Sequence, residues 1–144
     1  MAQYRSDSSL VHWGLLKSGD IGSIDSEGYV RIADRKKDMI IRGGFKVYPA
    51  EVESVLAGFE GVVEAAVVGR ADPMLGEAVV AFIAVEHDGP TPERVREWCA
   101  EQLSDYKVPK DVVIEVGALP RNANGKIQKA ELRVRAAALC ETTA

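Results

Sequence analysis

The sequence predicts an α+β fold: a small mixed β-sheet flanked by helices and preceded by two β-hairpins. Three observations lead there. Two pairs of short apolar runs, each pair split by a glycine-containing turn, occupy the first third of the chain. Beyond them, strand-like and helix-period segments alternate in the order βαββαβα, which packs helices against a sheet. Proline then stands where two of the helices should begin, a position at which its missing N–H costs nothing.

The elements follow in order. Residues 1–14 read as a frayed tail, the first dozen being polar and aperiodic. Residues 21–24, the turn Asp25-Ser26-Glu27-Gly28 and residues 29–33 form the first hairpin. Residues 39–42 and 45–48 form the second, around Gly43-Gly44. Pro49 suits a first helical turn, and Val52, Val55, Leu56 and Phe59 recur at helical spacing. Residues 62–68 and 78–85 are strand-like runs separated by a turn-rich segment around Asp72-Pro73. Thr91 is the N-cap of the next helix and Pro92 its first residue, while Arg94 stands where a capping box would want Glu or Gln. Val95, Trp98, Cys99 and Leu103 give that helix a stripe for the core. Residues 112–116 form a last strand, and residues 129–139 a closing helix.

Bulk properties narrow the classes of function. With 144 residues, 47% hydrophobic and 28% charged, the chain has the makings of a globular domain with a real core. A net charge of −4 offers no basic field for nucleic acid. No apolar run nears the roughly 20 residues of a membrane span, and the N-terminus lacks a signal-peptide pattern. The expectation is a cytoplasmic protein with reduced, structural cysteines at Cys99 and Cys140. His12 and His87 are isolated, so no metal cluster is expected.

Four short stretches carry candidate chemistry. In Ser18-Gly19-Asp20, a carboxylate at a glycine turn can accept two bonds from vicinal hydroxyls, as in a ribose grip, or simply cap the turn. Asp34-Arg35-Lys36-Lys37-Asp38 is a charge run between the hairpins, a solvated linker on its own terms. The paired Gly43 and Gly44, beside Arg42, Phe45 and Lys46, allow a ligand to approach the backbone closely or serve only a turn. In Pro120-Arg121-Asn122-Ala123-Asn124-Gly125-Lys126-Ile127, a tight loop holds out one ammonium as a point charge.

Taken together, these stretches resemble one family. Ser18-Gly19-Asp20, the Asp-Arg-x-Lys-Asp run at 34–38, the Gly-Gly corner leading to Val47-Tyr48-Pro49-Ala50-Glu51-Val52-Glu53, Gly76-Glu77-Ala78-Val79, Tyr106-Lys107-Val108-Pro109-Lys110 and the Gly125-Lys126-Ile127 loop are similar to the C-terminal portion of the adenylate-forming enzymes. These include acyl-CoA synthetases, non-ribosomal peptide adenylation domains and luciferases. The resemblance covers about residues 15–135, and within it fatty-acyl or aryl CoA ligases are the better match.

The resemblance implies ATP, carried as its magnesium complex, and CoA as co-substrate. It gives Asp20 and Arg35 to the ribose, and Lys126 to the junction of substrate carboxylate and α-phosphate. Lys37 becomes a hinge, and Gly43, Gly44 and Phe45 line the path of the pantetheine, with Arg42 or Lys46 for a CoA phosphate. Lys126 and Gly43 are not expected to be adjacent, because the small domain would present opposite faces in the two half-reactions.

Departures limit the resemblance. Ser18 stands where threonine is usual, and no phosphate loop, adenine pocket or acyl-binding region occurs. Residues 15–36 are then expected to be the distal end of a large N-terminal adenylation domain, and residues 37–140 a mobile C-terminal domain. Such a fragment is expected to be inactive alone and to need that missing domain as its partner, with a small carboxylic acid and CoA as substrates. A carrier-protein-loading adenylation domain and a non-catalytic interaction domain remain open alternatives.

Overall fold

A computed structural model describes residues 11–12, 15–16 and 18–139. The chain divides into two compact units, residues 1–37 and 38–144. In the first unit, β1 (Val11–His12) pairs antiparallel with β2 (Leu15–Leu16), so extended pairing begins inside the stretch expected to be frayed. Strands β3 (Asp20–Ile24) and β4 (Val30–Arg35) form the first predicted hairpin. Its turn is built by Asp25, whose Oδ1 accepts the N–H groups of Glu27 at 3.0 Å and Tyr29 at 2.9 Å. Ile24, Val30 and Ile32 are exposed on this hairpin.

The second unit contains a five-stranded sheet. Strands β5 (Ile40–Arg42) and β6 (Phe45–Val47) form the Gly-Gly hairpin, and Pro49 opens α1 (Pro49–Ala57). Strands β7 (Val62–Asp72) and β8 (Gly76–Val85) pair antiparallel almost end to end. Both outrun the runs expected from sequence, because Glu64, Arg70 and Glu77 interrupt the apolar pattern but not the ladder. A crossover through α2 (Pro92–Gln102) brings β9 (Asp111–Val116) parallel to β8, and α3 (Lys129–Ala138) closes the unit. Thr91 caps α2, its hydroxyl accepting the Arg94 N–H at 3.4 Å.

Strand β8 organises the core. Val79, Ala81, Ile83 and Val85 face Val52 and Leu56 of α1 and Val95 and Cys99 of α2. Val80, Phe82 and Ala84 face Leu132 and Ala136 of α3. Burial on both faces explains why this strand reads as one continuous apolar run instead of an alternation. Phe59 and Leu103 lie just beyond the helices to which their spacing assigns them; Phe59 still meets Trp98 edge-on at 5.6 Å. Cys99 is buried, which pushes its thiol up to about 11 and leaves it unreactive. Cys140 lies outside the described residues.

The outer edge of β7 is managed by charge. Glu53 of α1 accepts the Val67 N–H at 2.8 Å and pairs with Lys129 of α3 at 2.7 Å. A free ladder group is thereby used inside the molecule instead of being offered to another strand.

The tight turn from β7 to β8 depends on Asp72, which is 7% exposed. Its Oδ1 accepts the N–H groups of Met74 and Leu75, both at 3.0 Å, and its Oδ2 accepts Lys110 Nζ at 2.8 Å. Lys110 chiefly, then the Leu75 and Met74 amides, hold its carboxyl down at about 2. Since an unfolded aspartate titrates near ~4, the stability from Asp72 is fully present above that pH and is lost as pH falls through about 2. Urea unfolding measured from pH 6 to pH 2 should therefore show a steeper acid loss for the native chain than for Asp72→Asn.

Candidate functional site

The lysine loop is a closed, self-bonded turn. Arg121 and Ile127 form an antiparallel bridge around it. Inside, Asn122 N–H donates to the Lys126 carbonyl at 2.8 Å and Gly125 N–H to the Asn122 carbonyl at 2.9 Å. The Asn122 side-chain oxygen accepts the N–H groups of Asn124 at 3.0 Å and Lys126 at 2.9 Å. Gly125 sits at φ +76°, where a side chain would be strained. The loop is tied to the sheet by Glu64 of β7, whose Oε1 accepts the Leu119 N–H at 2.8 Å. The other Glu64 oxygen pairs with Arg121, and Arg121 Nη1 donates to the Gly125 carbonyl at 2.5 Å. The backbone of Lys126 is thus fixed, while its side chain is exposed and forms no ion pair among the described residues.

The Gly-Gly corner is a second ordered turn. Gly43 and Gly44 have φ of +57° and +84°, the backbone that a two-residue hairpin turn demands. A Cβ on Gly44 would meet nothing within 4 Å, so backbone conformation, not crowding, is what demands glycine there. Phe45 stacks on Tyr106 with ring centroids 4.7 Å apart, and stays 57% exposed. Arg42 Nη1 donates to the carbonyls of Tyr106 at 3.1 Å and Val108 at 2.9 Å. Of the two cations expected for a CoA phosphate, Arg42 is therefore engaged by backbone, whereas Lys46 is exposed.

The ribose candidates lie in the first unit. Asp20 and Arg35 are directly opposed across β3 and β4, with Asp20 Oδ1 and Arg35 Nε 3.8 Å apart. Both are open to solvent, so the pair adds little stability and leaves the carboxylate accessible. Ser18, Gly19, Arg35, Lys36 and Lys37 line a shallow recess of about 530 Å³. Lys37, the expected hinge, is the last residue of the first unit.

The structure brings Asp20 to Arg35, and gathers Gly43, Gly44 and Phe45 at one hairpin. The turns that carry Lys126 and Gly43 are held at different points. The lysine loop is anchored at Glu64 and the corner at the turn after Asp72, eight residues along β7, which is roughly 26 Å of extended strand.

Several residues that shape these turns escaped the sequence reading. Glu64 lies unremarked within an apolar run, Glu77 enters only as part of the Gly76-Glu77-Ala78-Val79 resemblance, and Asp72 reads as part of a turn-rich segment. Asp72 alone left a usable signal, since an aspartate two and three residues before the amides it accepts is a local turn pattern.

The second unit is thus a five-stranded mixed sheet that carries an ordered lysine loop and a separate glycine corner. The profile of the AMP-binding enzyme C-terminal domain family matches residues 51–126, and the chain belongs to that family. It is 48% identical over 120 residues to the long-chain-fatty-acid–CoA ligase FadD13 of Mycobacterium tuberculosis, covering 83% of this chain and 24% of that protein. It is 43% identical over 122 residues to the 2-succinylbenzoate–CoA ligase of Listeria monocytogenes, covering 85% of this chain and 26% of that one. Among solved structures, ATP-bound MatB from Rhodopseudomonas palustris superposes with a TM-score of 0.84 at 38% identity, over 91% of this chain and 26% of that one. The chain therefore spans about a quarter of the length of these relatives. Among the described residues no helix is long and apolar enough to cross a membrane.

Proposed function

We propose that this chain is the C-terminal portion of an AMP-forming acyl-CoA synthetase, supplying the adenylation lysine and the thiol-accepting corner. The complete reaction has two halves. A carboxylate oxygen attacks the α-phosphorus of ATP and pyrophosphate leaves. The CoA thiol then attacks the acyl carbon, AMP leaves, and the thiol proton goes to solvent or base. The observation that carries the proposal is Lys126: a loop closed by five internal hydrogen bonds and bridged to β7 presents one ammonium that forms no ion pair among the described residues.

That arrangement suits a charge clamp between two anions. Substrate carboxylate and α-phosphate repel each other, and a fixed cation between them stabilises the transition state, typically by about 10²–10³ in rate. The paired Asp20 and Arg35 fit a ribose: the carboxylate accepts from its hydroxyls while the guanidinium holds that carboxylate in place. Gly43, Gly44 and the exposed Phe45 ring fit an extended pantetheine, and Lys46 a phosphate of CoA. Magnesium would come with ATP and be held by the upstream part of the enzyme.

Two facts support a swinging domain. The division between the units falls after Lys37, and the two functional turns are anchored at different ends of β7. The exposed apolar residues of the β3–β4 hairpin support burial against an upstream adenylation domain, the partner this chain would require. An enzyme drawing on ATP and CoA fits a cytoplasmic setting, and relatives named for long-chain fatty acids favour a place in fatty acid metabolism.

The test is to join the chain to the large domain of a CoA ligase and assay thioester formation with free CoA and with a carrier protein. Product with free CoA is expected. Product on the carrier alone would contradict the proposal and favour the carrier-loading class.

A further inference from the structure

We propose that β7 carries two positioning carboxylates, Glu64 for the lysine loop and Asp72 for the glycine corner, so that each half-reaction has its own support on one strand. The inference rests on the function proposed above and adds residues that touch neither substrate.

Asp72 reaches the corner through a short chain of hydrogen bonds. Its Oδ1 fixes the Met74 and Leu75 amides, and the carbonyl of Leu75 then accepts the Gly43 N–H at 2.7 Å. Gly43 is the first residue of the corner and holds a φ of +57°, a conformation that glycine adopts without strain. Lys110 Nζ, 2.8 Å from Oδ2, locks the carboxylate's orientation. The Leu75 side chain also lies under the corner, 3.6 Å from where a Gly43 Cβ would stand. The corner has lateral supports as well, Glu77 Oε2 accepting the Ile41 N–H at 2.7 Å and Arg42 holding the carbonyls of Tyr106 and Val108. Among these contacts, Asp72 is the one that sets the β7–β8 turn from which Gly43 hangs.

Glu64 does the corresponding work at the other end. It accepts the Leu119 N–H where the chain enters the lysine loop, and it pairs with Arg121, which in turn holds the Gly125 carbonyl next to Lys126. Without Glu64, Arg121 loses its anchor, and the loop keeps only its internal bonds and the apolar seats of Leu119 and Ile127 against the core. A side chain displaced by about 1 Å at such a site lowers rate by up to about 100-fold.

If the carboxylates served stability alone, losing either would depress both half-reactions together. Local support makes a different claim, and the half-reactions separate the two. In the enzyme assembled with an upstream large domain, Asp72→Ala is expected to lower kcat/KM for CoA, with preformed acyl-adenylate as donor, by roughly 10- to 100-fold. Acyl-adenylate formation should stay within about twofold of the parent. Glu64→Ala should give the reverse pattern. Asp72→Asn and Glu64→Gln keep an oxygen for the backbone amides and should recover much of each loss. Lys110→Met, which leaves both Asp72 amide bonds intact, should give a smaller loss confined to thioester formation. On the chain itself, amide exchange should quicken at Gly43 in Asp72→Ala and at Lys126 in Glu64→Ala.

Equal losses in both half-reactions, or no loss in either, would overturn the inference. Lys126→Ala run in parallel keeps the two levels apart. If that variant adenylates normally, the proposed function itself fails; if it loses adenylation while the β7 variants show no split, only the positioning roles fail.

Discussion

Lys126→Ala is expected to slow carboxylate-dependent acyl-adenylate formation by about 10²–10³ while leaving acyl transfer from preformed acyl-adenylate to CoA nearly unchanged. The size follows from the kind of interaction removed. A single fixed charge acting where two anions meet contributes about as much as one well-placed donor to an oxyanion. The selectivity follows from the fold, because the loop that presents Lys126 and the corner formed by Gly43 and Gly44 hang from distant parts of β7. Lys126→Arg should recover only part of the rate, since a planar fork cannot reproduce a compact ammonium on the same loop. Rapid-quench measurement of each half-reaction checks both statements. A lysine needed for both steps would contradict the two-turn arrangement.

Phe82→Ala is expected to destabilise the chain by about 3–5 kcal/mol, a large part of the roughly 5–15 kcal/mol that holds a typical domain together. Phe82 is 1% exposed at the centre of β8, on the face covered by Leu132 and Ala136 of α3. The guanidinium of Arg135 lies 5.2 Å from its ring centroid, so truncation also removes a cation–π contact at the mouth of the cavity. A drop in urea midpoint at unchanged slope would show that the loss is one of stability, not of compactness. Because α3 directly follows the lysine loop, the variant should also loosen protection at residues 121–128.

These outcomes trace to signals of unequal strength in the sequence. Paired turn glycines, Pro49 and Thr91-Pro92 mark element boundaries because each residue type meets a local backbone demand. Such demands are readable one residue at a time. The apolar run of β8 reads equally plainly as buried, yet it does not say that alternate residues serve α1 and α2 on one side and α3 on the other. That division depends on where the helices pack, which is a property of the whole unit. The strand ends were misjudged for a related reason: Arg70 is tolerated in β7 because Asp111 of β9 meets it at 2.6 Å, a partner 41 residues away.

The functional turns divide in the same way. Lys126, Gly43 and Gly44 stand out because a lone cation in a turn and a glycine pair are unusual locally, and the neighbouring motifs give them a family context. Glu64 and Asp72 look like ordinary charges in sequence, and Arg42 reads only as a candidate for a CoA phosphate. They acquire roles only through partners made adjacent by folding, namely Leu119 and Arg121, Lys110, and the carbonyls of residues 106 and 108.

The central claim is that this chain supplies the charge for adenylation, and carboxylate-dependent ATP–pyrophosphate exchange tests it most directly. A large domain from a CoA ligase is measured alone, with this chain attached, and with the chain carrying Lys126→Ala. Exchange should rise by about 10²–10³ when the chain is attached and return to the level of the large domain alone when Lys126 is removed. Exchange that is indifferent to the chain, or that rises equally with the alanine variant, would contradict the account.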